Sequence, residues 1–111
     1  MNKGMILGLL ATVLTAQMGT INYNGHRETW YDLKMDRVVK RANAYYGIKD
    51  VYEVREDGVK TYNGFVICAV HKSVPYGTLI DTSKGVGIAL DYHTMKDSSA
   101  VDIATDWRDK K

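Results

Sequence analysis

The chain has 111 residues, a formal net charge of +2 from 15 basic and 13 acidic side chains, and one cysteine. This length suits one small domain, and the nearly balanced charge gives no reason to expect a nucleic acid partner. A single cysteine excludes an internal disulfide, so the stability of the fold depends on the packing of its core.

The first residues have the order of a secretory signal peptide. Lys3 supplies a positive charge, residues 5–14 are uncharged and largely apolar, and residues 15–17 are small or polar. The apolar stretch is too short to cross a hydrocarbon layer of roughly 30 Å as a helix. We therefore expect residues 1–16 to be a signal peptide, or an uncleaved tether that provides the only contact with a membrane. A buried element of the fold is the alternative.

Residues 17–111 are expected to form a single domain in which one helix interrupts a series of short strands. Gly47 follows the predicted helix at a position where helices commonly end. Apolar and aromatic residues recur on one helical face over residues 35–46: Met35, Val38, Val39, Ala42 and the pair Tyr45/Tyr46. The opposite face carries four basic residues: Lys34, Arg37, Lys40 and Arg41. Such a face is typical of a solvated helix, although it could also bind an anionic polymer such as a teichoic acid.

Six segments have strand patterns separated by turn signals: residues 30–33, 51–55, 65–70, 78–80, 86–90 and 100–104. Residues 65–70 are continuously apolar, which predicts a fully buried strand with Cys68 as a small core residue rather than a nucleophile. Six short strands with one early helix favour a small closed β-barrel over a doubly wound sheet.

Two aspartates, Asp91 and Asp102, lie beside apolar runs near the C-terminus and are separated by eleven positions. A strand that ends on a carboxylate presents it at the rim of the core, where it can meet a ligand. Two carboxylates brought together in this way can perform acid–base chemistry on a glycosidic bond. The alternative is that both are turn-forming residues at strand ends.

Four segments carry a family resemblance: FVICAVH at residues 65–71, VPYGT at 74–78, GIALD at 87–91 and VDI at 101–103. Together they resemble the 3D domain, which is named for three aspartates and occurs in cell-wall lytic transglycosylases related to membrane-bound lytic transglycosylase A. Residues 23–35 resemble the opening of small secreted or phage-associated members. The resemblance implies a mainly β fold, a small six-stranded double-psi β-barrel with one helix at about residues 35–46.

The resemblance also implies a reaction and a cellular location. The bond between N-acetylmuramic acid and N-acetylglucosamine in peptidoglycan glycan strands is cleaved, and the muramoyl 6-hydroxyl closes onto C1 to give a 1,6-anhydro product. Asp102 matches the general acid/base, Asp91 matches the middle aspartate, and Thr78 matches a threonine that could bind sugar. No cofactor or metal is expected, and the protein is expected to be secreted and associated with the cell wall.

The chain departs from the family pattern at two places. His71 replaces the first family aspartate, and Asp91-Tyr92-His93-Thr94 stands where the family has Asp-Thr-Gly-Gly, so both family glycines are absent. Tyr92 could stack on a sugar ring, and both Tyr92 and His93 are candidates for substrate binding. Two alternatives therefore stay open: a non-catalytic barrel that binds wall glycan or belongs to a phage particle, and a zinc amidase or peptidase. In the zinc enzyme, Asp91 and His93 would bind the ion together with His71 or His26.

Overall fold

The computed structural model of the chain describes residues 20–107. The predicted signal peptide or tether, residues 1–16, lies outside the described residues. Within residues 20–107, the helix is neither long enough nor apolar enough to span a lipid bilayer.

Eight strands and one helix make up the described chain, which is mainly β with one helix, as predicted. In order they are β1 (Thr20–Tyr23), β2 (His26–Tyr31), α1 (Asp36–Tyr46), β3 (Tyr52–Val54), β4 (Lys60–Tyr62), β5 (Phe65–Val70), β6 (Leu79–Thr82), β7 (Gly85–Tyr92) and β8 (Val101–Ala104). Helix α1 ends at Gly47, whose φ of 71° and amide hydrogen bond to the Asn43 carbonyl form a left-handed C-cap.

Two strands, β1 and β4, were not among the six predicted from the sequence. Each ends at an Asn-Gly pair with positive φ at both residues: 48° and 88° at Asn24 and Gly25, and 53° and 85° at Asn63 and Gly64. This is the backbone that a tight β-hairpin needs, and Asn-Gly is its strongest local signal. The short, polar strands beside these turns lacked an apolar run, so apolar patterning alone missed them.

All eight strands belong to one sheet, with β5 at its centre. The hydrogen-bonded path runs β1-β2-β8-β5-β4-β3, while β7 pairs with the other edge of β5 and β6 pairs with β7. One edge of β5 is shared: β4 pairs with Phe65 and Val66, and β8 pairs with Cys68 and Ala69. The described sheet therefore has eight strands in an open path rather than the six strands of a closed barrel.

Each face of the sheet carries its own apolar cluster. The first cluster consists of Trp30, Val59, Val66, Cys68, Val70, Ala89, Val101 and Ile103. The second cluster joins the opposite face to helix α1 and consists of Met35, Ala42, Tyr62, Ile67, Ile88, Leu90 and Ala104. The prediction for Cys68 is confirmed: it is fully buried, and burial raises the pKa of its thiol to about 12.

Candidate active site

Asp91 and Asp102 lie on the two sides of one residue of the central strand. In β5, Ala69 pairs with Asp102 of β8 across one edge and with Asp91 of β7 across the other. Thr29 of β2 pairs with Asp102 in turn. Residues directly opposite one another on neighbouring strands share a face of the sheet, so Thr29, Asp102, Ala69 and Asp91 form one row across four strands. We call these four residues the aspartate row.

A β-bulge at Leu90 puts Asp91 into this row. Ile67 and Cys68 pair regularly with Ile88 and Ala89, but the next residue of β5, Ala69, pairs with Asp91, so Leu90 is the extra residue. With regular pairing, Asp91 would have faced the side of the sheet opposite to Asp102, because side chains alternate along a strand. The bulge changes the facing of Asp91 and brings the two carboxylates to the same side.

Asp102 is half-buried and has one oxygen in use. The hydroxyl of Thr29 donates to its Oδ1 at 2.7 Å, and within residues 20–107 its Oδ2 accepts no hydrogen bond. Burial raises the pKa of the Asp102 carboxyl above its ordinary value, and the negative charge of Asp91 acts in the same direction. The Thr29 hydrogen bond and the nearby His93 oppose this rise without cancelling it. A carboxyl with a raised pKa and a free oxygen is equipped to donate a proton.

Asp91 differs from Asp102 because both of its oxygens accept hydrogen bonds. The phenol of Tyr31 donates to Oδ2 at 3.0 Å, and the amide of Tyr92 donates to Oδ1 at 2.9 Å. Tyr31 belongs to β2, and a flat sheet would separate β2 from β7 by about 14 Å. The contact therefore requires the sheet to curl so that β2 approaches β7. Burial, followed by the Asp91 charge, raises the pKa of Tyr31, which keeps this phenol a neutral donor.

A pocket of about 440 Å³ opens beside Asp91, between the sheet and helix α1. Asp91 and Leu90 line its sheet side, while the helix side carries apolar and basic residues: Met35, Val38, Lys34, Arg37 and Arg41. We call it the basic pocket. The bulge thus contributes two neighbouring side chains to one wall, and the pocket is continuous with the aspartate row through Asp91.

The three other predicted site residues occupy different environments. Tyr92 is 39% exposed at the end of β7, where its ring is available to a ligand. Both ring nitrogens of His93 are engaged, because Nε2 donates to the Ala100 carbonyl at 2.7 Å and Nδ1 accepts from the Met95 amide. The hydroxyl of Thr78 donates to the Pro75 carbonyl at 2.6 Å, and within residues 20–107 no hydrogen bond joins Thr78 to either aspartate. The ring of Tyr92 is therefore accessible to a ligand, whereas the polar side-chain atoms of His93 and Thr78 form hydrogen bonds within their own loops.

The histidines considered as zinc ligands make contacts within their own segments, although the ring centroids of His71 and His93 lie 6.3 Å apart. His71 accepts the Ser73 amide on Nδ1, and the Nε2 of His26 lies 3.0 Å from the buried carboxylate of Glu28. Within residues 20–107, no group of three His, Cys, Asp or Glu side chains is arranged to hold a metal ion. The fold brings the two aspartates together, but within the described residues no histidine completes a metal-binding group with them.

Sequence reasoning missed three residues of this site: Thr29, Tyr31 and Leu90. Thr29 and Tyr31 alternate with buried residues in β2, which marks them as one face of a strand. Nothing local indicates that β2 lies beside β8, since the two strands are parallel and more than seventy residues apart. The bulge at Leu90 has no composition signal, because it interrupts a uniformly apolar run.

Comparisons of the whole chain found no matching family model, no matching curated protein and no matching solved structure.

Proposed function

We propose that the protein is a peptidoglycan lytic transglycosylase that cleaves the bond between N-acetylmuramic acid and N-acetylglucosamine. The observation that carries the proposal is the aspartate row: two carboxylates on one face, one with both oxygens occupied and the other half-buried with a free oxygen. The resemblance to the 3D domain supplies the substrate class. It points to the same two residues, Asp91 and Asp102, that the bulge brings to one face.

In the proposed reaction Asp102 acts twice. Its protonated carboxyl gives a proton to the glycosidic oxygen as the bond to C1 of the muramoyl residue breaks, and the sugar leaves as an alcohol. The resulting carboxylate then takes the proton of the muramoyl 6-hydroxyl as that oxygen bonds to C1, which restores the acid and forms the 1,6-anhydro ring. The reaction consumes no water molecule, so a single acid/base group is sufficient.

The neighbours of Asp102 would support this cycle in different ways. Asp91, held as an acceptor by Tyr31 and the Tyr92 amide, would stabilise positive charge developing at C1. Tyr92 would offer its exposed ring to a sugar. We keep His93 and Thr78 in the proposal as residues that shape the walls, because their polar groups are committed to the loops around the site.

For the fold we propose the double-psi β-barrel that the resemblance implies. Two observations support it. The pairs β2–β8 and β5–β7 are parallel, so each needs a crossover connection rather than a hairpin. The sheet also curls enough for Tyr31 of β2 to reach Asp91 of β7. In this assignment the two strands at the ends of the path are additions to the six of the barrel: within residues 20–107, β1 pairs with β2 alone and β3 with β4 alone.

We also propose that the protein is exported and acts at the cell wall of a bacterium, with peptidoglycan as its partner and a membrane contact only through residues 1–16. The charged, apolar and polar order of the first residues supports export. Mass spectrometry of the secreted protein would check it. A mature chain that begins at residue 17 is expected, and retention of residues 1–16 in the membrane fraction would indicate the tether.

One observation favours a second candidate, a non-catalytic barrel that binds wall glycan or serves in a phage particle. His71 stands in place of the first family aspartate, and its Nδ1 accepts a hydrogen bond from the Ser73 amide in the same loop. A glycan-binding site needs no third carboxylate. The zinc amidase or peptidase has weaker support, because both ring nitrogens of His93 are occupied.

The proposed function is tested by mass spectrometry of the muropeptides that the purified chain releases from peptidoglycan. Asp102→Asn keeps the shape of the side chain and an oxygen that can accept the Thr29 hydrogen bond, but it removes the acidic proton. The control, Glu56→Gln, makes the same carboxyl-to-amide change at an exposed turn residue. We expect 1,6-anhydro-muropeptides from the wild type and Glu56→Gln, with a loss of about 100-fold or more in Asp102→Asn.

Other outcomes would change the assignment. Reducing-end products that disappear in Asp102→Asn would make the protein a hydrolase with the same acid. Absence of release by every variant would favour the glycan-binding barrel. Release of peptides that is abolished by a chelator would favour the zinc enzyme.

A further inference from the structure

The basic pocket beside Asp91 has the charge of an anion-binding site. Lys34, Arg37 and Arg41 all line it, and within residues 20–107 no ion pair involves any of the three. The acidic side chain in the same wall, Asp91, is bonded instead to Tyr31 and to the Tyr92 amide. Three cations around one concave surface concentrate positive potential there and attract an anionic ligand.

Arg41 is held in position before any ligand arrives. Its guanidinium carbon lies 4.3 Å from the ring centroid of Tyr76 and 5.8 Å from that of Tyr92. Stacking of this kind restrains a long side chain and leaves the edge of the guanidinium plane free to donate. A guanidinium that is already ordered loses less entropy on binding, and its planar donors match the two oxygens of a carboxylate.

The pocket is also apolar, which restricts the class of ligand. Met35, Val38 and Leu90 contribute to its lining, and Leu33 at its rim is 60% exposed. A polyol phosphate carries an oxygen on each carbon of its chain and has no hydrocarbon side chain to place against these residues. A short acidic peptide with small aliphatic residues supplies both the carboxylates for the cations and the methyl groups for the apolar wall.

We propose that the basic pocket binds the acidic stem peptide of peptidoglycan, with a carboxylate of that peptide at Arg41. The identity of the ligand rests on the proposed function, whereas the anionic and amphipathic character of the ligand rests on the pocket itself. Because Asp91 belongs both to the aspartate row and to the pocket wall, a peptide attached to a muramoyl residue at the row would extend directly into the pocket.

Binding is measured by ¹⁵N NMR titration of the purified chain with the peptide acetyl-L-Ala-γ-D-Glu-L-Lys-D-Ala. A second peptide has the α-carboxyl of the D-Glu residue amidated. We expect shifts at the amides of Val38, Arg41 and Leu90, weaker binding of the amidated peptide, and a further loss of affinity of about fivefold or more in Arg41→Gln.

Lys40→Gln is the matched control. It removes one positive charge from the same helix, but Lys40 lines a different groove with Asn43 and Tyr52. We expect its affinity for the peptide to stay within about 1.5-fold of the wild type, because only a screened, distant charge is lost. Equal losses in Arg41→Gln and Lys40→Gln would overturn the proposal, since they would reflect net charge alone. Tighter binding of poly(glycerol phosphate) than of the peptide would also overturn it.

This experiment separates failure of the pocket from failure of the proposed function. Arg41-dependent peptide binding by a chain that releases no muropeptides would support the pocket and remove the transglycosylase. Release of anhydro-muropeptides by a chain that does not bind the peptide would support the transglycosylase activity and overturn the proposal that the basic pocket binds the stem peptide. In an active enzyme, Arg41→Gln should reduce cleavage of peptide-bearing strands about fivefold more than Lys40→Gln does, since Lys40 lies outside the pocket.

Discussion

Two carboxylates lie on opposite faces of the same sheet and have very different surroundings. Glu28 of β2 pairs with Val101 on the face of the first cluster and is fully buried. Its Oε1 accepts the Ser83 hydroxyl at 2.5 Å, and its Oε2 accepts the Ser83 amide at 2.9 Å and lies 3.0 Å from the His26 ring. Asp102, on the other face, is half-buried, and Thr29 is its hydrogen-bond donor.

The difference separates a structural carboxylate from the one proposed as the acid. Both oxygens of Glu28 are occupied, so it joins β2 to the β6–β7 turn and has no capacity left for a ligand. Asp102 is desolvated enough to raise its pKa, yet its Oδ2 accepts no hydrogen bond from residues 20–107. Burial alone does not identify a functional acid. Burial together with an unused oxygen is what makes Asp102 the candidate acid.

The largest expected effect comes from removing the structural carboxylate. Glu28→Ala leaves the Ser83 amide and hydroxyl without their acceptor in the core, so we expect it to lower the free energy of unfolding by about 3 kcal/mol. Glu28→Gln keeps an acceptor oxygen and the volume of the side chain and should cost clearly less. Urea denaturation measures both. Equal stability of Glu28→Ala and the wild type would show that this network does not hold the β6–β7 turn.

A smaller effect is expected from two tyrosines, Tyr31 and Tyr62, whose hydroxyls make similar hydrogen bonds. Tyr31→Phe removes the donor to Asp91, and Tyr62→Phe removes a 2.8 Å bond to Asn43 on helix α1. Each should lower the free energy of unfolding by about 1 kcal/mol, a typical net value for one hydrogen bond. Only Tyr31→Phe should also change muropeptide release or glycan binding. Equal functional effects of the two substitutions would remove Asp91 from the site.

The smallest effect is the pH dependence of stability that Asp102 contributes. Because the pKa of Asp102 is raised by burial in the folded state, the folded chain binds more protons than the unfolded chain between the two pKa values. Stability therefore falls as pH rises from the unfolded value, about 3.9, through the folded one. Asp102→Asn should be slightly more stable than the wild type at pH 7, and this advantage should disappear at acidic pH.

Asp97 provides the control for that measurement. Hydrogen bonds from the Ser99 side chain and amide hold the pKa of Asp97 below its ordinary value, so its contribution has the opposite sign. Asp97→Asn should be slightly less stable than the wild type at neutral pH, with the loss disappearing as the pH falls through the pKa of Asp97. Thermal unfolding between pH 3 and 7 measures both. The same sign for both variants would contradict the raised pKa of Asp102.

Much of the local structure could be predicted because its signals are local. The buried strand at residues 65–70 followed from a continuous apolar run, and the helix at about residues 35–46 followed from apolar spacing and Gly47. The predicted helix face was only partly right. Met35 and Ala42 are buried, but Tyr45 at the C-terminal end of the helix is 64% exposed. At this end of the helix Tyr45 packs against Tyr46 and Tyr76, and its ring remains largely exposed.

The candidate site was only half predictable. Asp91 and Asp102 were marked by their positions beside apolar runs, but Thr29, Tyr31 and Arg41 become neighbours of that pair only through long-range packing. Sequence spacing carries no information on which strands lie side by side. Parallel pairing joins segments that are distant along the chain.

The sequence by itself determined the mainly β character, the end of the helix, the buried central strand and the two aspartates as candidates. Each of these depends on the side-chain pattern of a few consecutive residues. The tertiary structure decided that the aspartates share a face. One extra residue in a strand reverses the facing of every side chain after it, and the bulge at Leu90 appears only when β7 is paired with β5.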